Sequence, residues 1–387
     1  MNRFEIKGWC PSALRPMRSG DGLVVRIRPR GGRLSAEQAE GIAALAEKCG
    51  NSLIDLTGRA NLQIRGVRAE SHEMLIAGLA QLGLIDVDVK TEIQRNLLVA
   101  PFWAEGDDTR LLAAELERAL ATRHLGLPAK FGFAVDCGAE RVLAQAPADI
   151  RIERDAAGDL IVRADGSEQG CEVARGEAID IALSLATWFM TSGGANDGRG
   201  RMAAHIRSSA KLPDAFAGNA KPALDISPPH PGLRGGGALV GFALGQMQSA
   251  TLKFLADRAP GLRLTPWRLI LVEGLREMPK HDGIVTRADD PVLRVAACTG
   301  APGCAEAHVE TREFAGALAP YIAAGTHLHV SGCAKGCAHP RASAITLVGT
   351  GNGFDLIRHG SAQDAPVAQG LDPTKILADP RVLLGVT

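Results

Sequence analysis

Four cysteines in the last quarter of the chain constrain its fold more than any other feature. They form two pairs, Cys298-Thr-Gly-Ala-Pro-Gly-Cys304 and Cys333-Ala-Lys-Gly-Cys337, with 28 residues between the pairs. Glycine, alanine and proline surround each pair, and these residues let a backbone turn tightly and approach an inorganic core. Four thiolates on turns therefore indicate an iron–sulfur cluster before they indicate disulfides.

Zinc and disulfides are the alternatives for these cysteines. Structural zinc sites use C-x2-4-C spacings, and the first pair is C-x5-C, which is too long. The C-x2-C-x2-C run of simple ferredoxins is absent, so plain electron carriage is not the first interpretation. The opening residues 1–7 contain no apolar signal core, and no apolar run approaches about 18–20 residues. We therefore expect a cytoplasmic protein with reduced thiols.

The charge balance argues against nucleic-acid and membrane partners. Net charge is zero, and aromatic residues make up only 4% of the 387-residue chain, too few for a base-stacking surface. The distribution is uneven, however, because residues 1–68 hold twelve Lys and Arg against six Asp and Glu.

A strand–helix–strand–strand pattern occurs twice along the chain. In the first copy we predict these elements over 23–28, 35–50, 53–56 and 61–66, followed by a helix over 70–82 and a strand over 85–89. The second copy spans 238–274, with Thr265 in the place of Thr57. A repeat at a spacing of roughly 200 residues predicts a duplication with pseudo-two-fold symmetry, with a chance likeness of two such units as the alternative.

Both cysteine pairs follow predicted strands. These strands cover 293–297 and 327–330, and a crossover helix is predicted between them over 306–323. Such a connection makes neighbouring strands parallel, and open α/β sheets bind ligands at the carboxyl ends of parallel strands. The segment 213–234, rich in Pro and Gly, is the best linker candidate.

Cationic residues form a second group of candidates. Arg59 and Arg65 alternate with Asn61 and Gln63, and the pair Arg95-Asn96 and the residue Lys130 follow along the chain. Arginine forks bind carboxylates in a bidentate manner and keep their charge. Beside a metal centre such residues would suit a polycarboxylate or a small oxyanion, although a solvated strand face remains the alternative.

Four of these motifs occur in an order that resembles a known family. Thr57-Gly-Arg59-Ala-Asn61-Leu-Gln63, Gln94-Arg95-Asn96, Leu127-Pro-Ala-Lys130-Phe and the two cysteine pairs are similar to siroheme-dependent sulfite and nitrite reductases over roughly residues 20–350. The resemblance implies an α+β fold with α/β elements, in which a pseudo-two-fold ferredoxin-like domain and two further α/β domains surround a tetrapyrrole and a 4Fe–4S cluster. The corresponding segments are 1–85 and 235–285 for the ferredoxin-like halves, and 86–234 and 286–387 for the α/β domains.

The same resemblance implies roles for the candidate residues. Cys298, Cys304, Cys333 and Cys337 would ligate the cluster, and Cys337 occupies the position that bridges to siroheme iron in the reductases. Arg59, Arg95 and Lys130 match three of the four cations around the substrate anion and are the catalytic candidates. Together with these three, the residues Asn61, Gln63, Arg65 and Asn96 would contact the tetrapyrrole.

One departure from the reductase pattern and two further motifs point to a more specific family. Sulfite reductases read Lys-Phe-Lys where this chain reads Lys130-Phe-Gly132, so the second lysine is missing. The opening Lys7-Gly-Trp-Cys10-Pro and the run Ser331-Gly-Cys-Ala-Lys-Gly-Cys-Ala-His-Pro340 resemble the precorrin-3B synthase family of aerobic cobalamin biosynthesis. That resemblance implies an oxygen-dependent monooxygenase that activates oxygen at iron, hydroxylates precorrin-3A at C20 and closes a lactone with the ring A acetate.

This second resemblance also implies cofactors and partners. A 4Fe–4S cluster and a mononuclear non-haem iron are expected, with O2 and an NADH-linked or ferredoxin-like electron donor, and with siroheme only if the chain is a reductase. No facial triad for the mononuclear iron is evident, and His339, His308, Asp136 and Cys10 are candidates by elimination. A divergent siroheme nitrite or sulfite reductase and a non-catalytic iron–sulfur or tetrapyrrole-binding protein are the competing hypotheses.

Overall fold

A computed structural model describes residues 11–208 and 211–383, so Cys10 lies outside the described residues. Within these ranges, twenty strands form four five-stranded sheets. The first ten strands are β1 (Met17–Ser19), β2 (Gly22–Ile27), β3 (Arg33–Ser35), β4 (Leu53–Leu56), β5 (Leu62–Val67), β6 (Leu97–Val99), β7 (Phe133–Asp136), β8 (Ile150–Arg154), β9 (Leu160–Ala164) and β10 (Cys171–Glu172).

The remaining elements complete the second half and the helices. The other strands are β11 (Gly232–Arg234), β12 (Gly237–Gly241), β13 (Gln246–Gln248), β14 (Gly261–Leu264), β15 (Leu269–Glu273), β16 (Val295–Ala297), β17 (Leu328–Ser331), β18 (Ser343–Thr350), β19 (Gly353–Gly360) and β20 (Ala368–Leu371). The α-helices are α1 (Ala36–Cys49), α2 (His72–Gln81), α3 (Val89–Gln94), α4 (Asp108–Thr122), α5 (Ala178–Thr191), α6 (Met202–Arg207), α7 (Asp214–Ala217), α8 (Ser249–Ala256), α9 (Arg312–Leu318) and α10 (Pro373–Ala378).

The fold repeats after ten strands. The sheet with strand order β1-β2-β5-β4-β13 has its counterpart in the sheet β11-β12-β15-β14-β3. The sheets formed by β6 to β10 and by β16 to β20 each contain three parallel strands followed by two antiparallel ones. The predicted pseudo-two-fold repeat is confirmed, and it extends beyond the ferredoxin-like halves to both α/β units.

The two ferredoxin-like halves exchange one strand each. Strand β3 pairs with β14, with Leu34 opposite Leu262, and β13 pairs with β4, with Met247 opposite Ile54. Helix α1 follows β3 directly, because the predicted capping box is present between Ser35 and Gln38. Helices α1 and α8 cover the joint sheets, and the apolar inner faces of both halves form one core.

Two predicted elements were wrong in type or extent. The strand predicted over 85–89 is absent, because the Asp88 carboxylate accepts a hydrogen bond from the Thr91 amide (2.7 Å) and starts α3. The crossover helix predicted over 306–323 is reduced to α9 and a short 3-10 turn over Ala319–Tyr321. The residues before α9 are tied to the cysteine loops instead: Ala301 donates to the Val309 carbonyl (2.9 Å) and His308 to the Gly332 carbonyl (2.9 Å).

The first described residues form an arm, as expected for an N-terminal segment rich in Gly and Pro. The amides of Ala13 and Leu14 donate to the Glu92 carboxylate at 2.6 and 3.1 Å, which holds the arm on α3.

Across 11–208 and 211–383, none of the helices combines the length and apolarity needed to cross a bilayer.

Candidate functional site

The two cysteine loops lie at one edge of the last sheet. Strands β16 and β17 are parallel neighbours, so the loops that follow them meet at the carboxyl ends of these strands, as the sequence predicts. The Cys298 amide donates to the Val330 carbonyl (3.3 Å), and the Gly332 amide donates to Cys298 Sγ (3.1 Å). A backbone donor to a cysteine sulfur is the arrangement that stabilises a metal-bound thiolate.

The four cysteine sulfurs influence one another electrostatically. Desolvation raises the pKa of Cys337 to about 11. The charge of Lys335 opposes this effect, and the neighbouring thiols of Cys298, Cys333 and Cys304 add to it. Cys337 lies at the rim of the site with an exposed side chain, yet enough protein surrounds it for this desolvation. Desolvation also raises the pKa of Cys333, with further contributions from Cys298 and Cys304. The four thiols therefore converge on one region.

This arrangement fits a cluster better than a single ion. Among the residues that the structure describes, no three His, Cys, Asp or Glu side chains converge closely enough to hold one metal ion. Zinc requires its ligands at about 2.0–2.3 Å from one centre. A 4Fe–4S cluster gives each cysteine its own iron, so its thiolates stand apart. Cys298, Cys304, Cys333 and Cys337 are thus a suitable donor set for the cluster.

The first cysteine loop is also held by the beginning of the chain. The Gly303 carbonyl accepts hydrogen bonds from the Gly20 amide (3.1 Å), from Arg65 Nη2 (3.3 Å) and from the Ser19 hydroxyl. Gly20 is in such close contact with the Pro302 carbonyl that a methyl group there would overlap it. Arg65 is buried and pairs with Asp21 at 2.8 Å. A loop near residue 300 therefore depends on contacts from residues 19–65.

The outer face of the first ferredoxin-like sheet is polar and turned towards these loops. Gln63 stands in register between Arg26 and Asp55 on neighbouring strands. Asp55 is buried and pairs with Arg312 at 2.9 Å. The equivalent face of the second half combines the buried residues Leu239, Leu269 and Leu271 with an ion pair between Arg263 and Glu273 (2.7 Å). Both halves bring charged groups to the cysteine edge, Asp55 from the first and Arg268 from the second.

The Arg59 side chain contacts the backbone of Lys130. Arg59 Nη2 donates to the Lys130 carbonyl (3.0 Å), Arg59 is half-buried, and the Lys130 side chain is exposed. Asn61 closes the turn through its backbone. Its amide donates to the Thr57 hydroxyl (3.2 Å), and its carbonyl accepts from the Thr57 amide (3.0 Å). These bonds shape the turn that carries Arg59, and the Asn61 side chain is buried.

Arg95 is engaged by acidic residues inside the fold. Its side chain is only 3% exposed and pairs with Asp86 at 2.9 Å and with Glu117 at 3.3 Å. Arg95 Nη2 also donates to the Arg28 carbonyl (3.0 Å). Burial acts to lower the pKa of Arg95, but the hydrogen bonds and charges of Asp86 and Glu117 outweigh it, so the pKa is raised. A guanidinium engaged in this way stabilises the fold, and its position gives no support to the predicted contact with substrate.

Asn96 and Gly132 explain the missing lysine of the reductase motif. Asn96 Nδ2 donates to the Phe131 carbonyl (2.9 Å), so Asn96 also serves the fold. A Cβ atom on Gly132 would lie 2.7 Å from the Asn96 carbonyl oxygen, which is too close for any side chain. The absence of a second lysine is therefore built into the packing of this segment.

Within residues 11–208 and 211–383, the candidate ligands His339, His308 and Asp136 do not converge on one metal position. Asp136 lies in the other α/β unit, where its Oδ2 accepts from the Val142 (2.8 Å) and Leu143 (2.6 Å) amides. His339 packs against the ring of His327, with centroids 4.6 Å apart. His308 sits on the first cysteine loop, and Cys10 lies outside the described residues.

Two arginines of this site escaped the sequence motifs. Arg268 donates through Nη2 to the Ala338 carbonyl (2.8 Å) in the second cysteine loop, and Arg312 donates through Nε to the Cys298 carbonyl (3.4 Å) in the first. Arg268 corresponds in the repeat to Ala60, and both residues have a left-handed backbone, with φ of 61° and 52°. Neither contact leaves a pattern that the sequence motifs could have revealed.

Comparison with known proteins agrees with this architecture. Residues 15–82 match the nitrite/sulfite reductase ferredoxin-like half domain. A precorrin-3B synthase from a Sinorhizobium species is 32% identical over 94% of this chain and 85% of the relative. The chain belongs to the precorrin-3B synthase family.

Two further similarities place this family within a wider fold. A ferredoxin–nitrite reductase from Synechococcus elongatus is 30% identical over 34% of this chain and 27% of that protein. The solved structure of the Mycobacterium tuberculosis NirA protein superposes with a TM-score of 0.62 at 16% identity, covering 92% of this chain and 79% of that one. The chain thus has the nitrite/sulfite reductase-like fold, as the sequence motifs predict.

Proposed function

We propose that the chain is a precorrin-3B synthase that converts precorrin-3A to precorrin-3B with O2. The single observation that carries this proposal is the 32% identity over 94% of the chain with a relative of that name. The reaction inserts one oxygen atom at C20 and closes a lactone with the ring A acetate. Its balance is precorrin-3A, O2, two electrons and two protons giving precorrin-3B and water.

The polar face of the first ferredoxin-like sheet is the proposed binding surface. Precorrin-3A carries several carboxylates, and arginine forks bind such groups in a bidentate manner. Arg26 and Arg65 lie on this face, and Arg59 and Lys130 lie at its turn. Because Arg65 is already paired with Asp21 (2.8 Å), we assign it to holding the site together and assign direct carboxylate contact to Arg59 and Lys130.

The cysteine loops would hold the redox group. Cys298, Cys304, Cys333 and Cys337 would bind a 4Fe–4S cluster, which supplies single electrons when bound. The chain itself keeps the thiols in a partly desolvated edge and fixes Cys298 through the Gly332 amide. The two electrons that the reaction consumes would come from an NADH-linked or ferredoxin-like donor.

Product analysis tests this function. Anaerobically purified protein is supplied with precorrin-3A, a reductant and ¹⁸O2, and the product is examined by mass spectrometry. We expect one labelled oxygen in a hydroxylated lactone. Stoichiometric siroheme in the purified protein, with nitrite or sulfite reduction and no conversion of precorrin-3A, would sink the proposal in favour of a reductase.

A substitution at Arg59 tests the binding surface within the same assay. Arg59→Ala removes a carboxylate-binding fork and should weaken precorrin-3A binding about tenfold or more, since a hydrogen bond to a charged group contributes about 1.5–3 kcal/mol. Arg287→Ala, at an exposed guanidinium that pairs with Asp289 (2.7 Å), is the control. Equal affinity in the Arg59 variant and the control would remove Arg59 from the binding surface.

A further inference from the structure

Besides the contact of Arg65 with Gly303, two arginines bind the backbone of the cysteine loops. Arg312 donates to the Cys298 carbonyl (3.4 Å) in the first loop, and Arg268 donates to the Ala338 carbonyl (2.8 Å) in the second. Both side chains are half-buried. Neither residue belongs to the motifs that identify the family, and neither contact is required to close a helix or a sheet.

Positive charge exceeds negative charge around these two residues. Arg312 pairs with Asp55 at 2.9 Å, and the same carboxylate lies 3.8 Å from Arg65. Burial and then the charge of Arg312 lower the pKa of Arg268, so the two guanidinium groups repel each other across this region. Nη1 of Arg312 is buried without a hydrogen-bond partner. A negative group beside the loops would compensate this excess charge.

The backbone at Arg268 adopts an unfavourable conformation. Its φ of 61° is left-handed, a conformation that residues with a Cβ rarely adopt. A Cβ on Gly245 would lie 2.5 Å from Cδ of Arg268, so the glycine leaves room for the aliphatic part of the arginine. The surroundings therefore hold this guanidinium at the second cysteine loop in spite of its unfavourable backbone.

We propose that Arg268 and Arg312 are positioning residues of the cluster, which fasten the two cysteine loops and, through their positive charges, favour the reduced cluster over the oxidised one. The inference rests on the proposed function, because it takes the cluster as the occupant of the four cysteines. A one-electron reduction adds a negative charge to the cluster and requires no proton or leaving group. Fixed cations nearby stabilise that added charge.

Potentiometric titration tests the charge effect. The full chain is reconstituted anaerobically with iron and sulfide, reduced stepwise with dithionite through mediators, and followed by the electron paramagnetic resonance of the reduced cluster. At the potential where half of the wild-type clusters are reduced, Arg312→Gln and Arg268→Gln should each show a ratio of reduced to oxidised cluster that is about tenfold lower, or about 59 mV for a one-electron couple.

Two further variants give opposite and null expectations. Asp55→Asn removes the carboxylate that faces Arg312 (2.9 Å), so the ratio should rise. Arg381→Gln removes an exposed cation that pairs with Asp379 (2.7 Å), so the ratio should stay unchanged. Arg312→Lys keeps the charge but loses the planar fork, so it should retain the wild-type ratio and release iron faster. Should the glutamine variants fail to load, Asp55→Asn and Arg312→Lys decide the question.

The outcomes separate this inference from the proposed function. Loaded glutamine variants with the wild-type ratio, or a ratio in Asp55→Asn that fails to rise, would overturn the charge effect. An Arg312→Lys variant that holds iron as firmly as the wild type would overturn the fastening role. A wild-type chain that takes up no four-iron cluster would overturn both proposals, whereas predicted shifts without conversion of precorrin-3A would refute the proposed function alone.

Discussion

Replacing Gly20 by alanine should release the cluster from a loop that lies almost 300 residues further along the chain. The added methyl group overlaps the Pro302 carbonyl, which is backbone and cannot rotate away. The first cysteine loop must therefore move away from the β1–β2 hairpin. Because Cys304 follows Gly303 directly, this movement displaces one of the four proposed cluster ligands.

The magnitude follows from the bonds that the loop would lose. The Gly303 carbonyl accepts from the Gly20 amide (3.1 Å), from Arg65 (3.3 Å) and from the Ser19 hydroxyl. A net contribution of about 0.5–1.5 kcal/mol for each bond gives about 3 kcal/mol for the three together. Since 1.4 kcal/mol corresponds to a tenfold change, cluster retention should weaken about a hundredfold.

Iron and sulfide content after anaerobic reconstitution, followed during dilution into a chelator, measures this loss. Gly316→Ala is the matched control, because it lies in α9 of the same unit and its ideal Cβ has no neighbour within 4 Å. The thermal midpoint of each apo-protein separates loss of the cluster from loss of the fold. Full and durable iron in Gly20→Ala would refute the reasoning that the hairpin holds the loop.

Three other substitutions test separate parts of the structure. Cys304→Ser should lose cluster iron, whereas Cys171→Ser, outside the site, should retain it in the same iron assay; equal iron in both would exclude Cys304 as a ligand. Gly132→Ala places a Cβ 2.7 Å from the Asn96 carbonyl and should destabilise the protein by about 1–3 kcal/mol in urea unfolding, so unchanged stability would contradict this close contact. Burial raises the pKa of Asp136 to about 6. The folded state therefore loses about 3 kcal/mol of stability as pH rises from about 4 to 6. Asp136→Asn should flatten this dependence of the unfolding free energy on pH, and an unaltered dependence would assign it to another group.

Local patterns predicted the elements of the fold well, because they depend on neighbouring residues. The capping box at Ser35 and the alternation of β2 and β5 are readable from a few residues each. The strand exchange is not readable in this way. The pairing of β13 with β4, nearly 200 residues away, depends on the packing of two halves.

The same distinction applies to the site. The cysteines are predicted as ligands from their local spacing, and Arg59 is predicted as a binding residue from its local motif. Arg95 belongs to a family motif, but its environment is set by Asp86 and Glu117, whose proximity only the fold creates. Arg312 and Arg268 were missed for the converse reason, since their contacts with the cysteine loops join distant segments and leave no pattern in the sequence.

The exchange of β3 and β13 has a consequence for the order in which the protein matures. During synthesis, the first ferredoxin-like sheet lacks its edge strand until residues 246–248 have left the ribosome. The polar face that receives Arg312 and the hairpin that holds the first cysteine loop belong to this sheet. Residues 246–248 precede Cys298 in the chain, so this sheet can be complete before the first of the four cysteines has left the ribosome. The cysteine loops are then made when the surface that holds the first of them is already assembled.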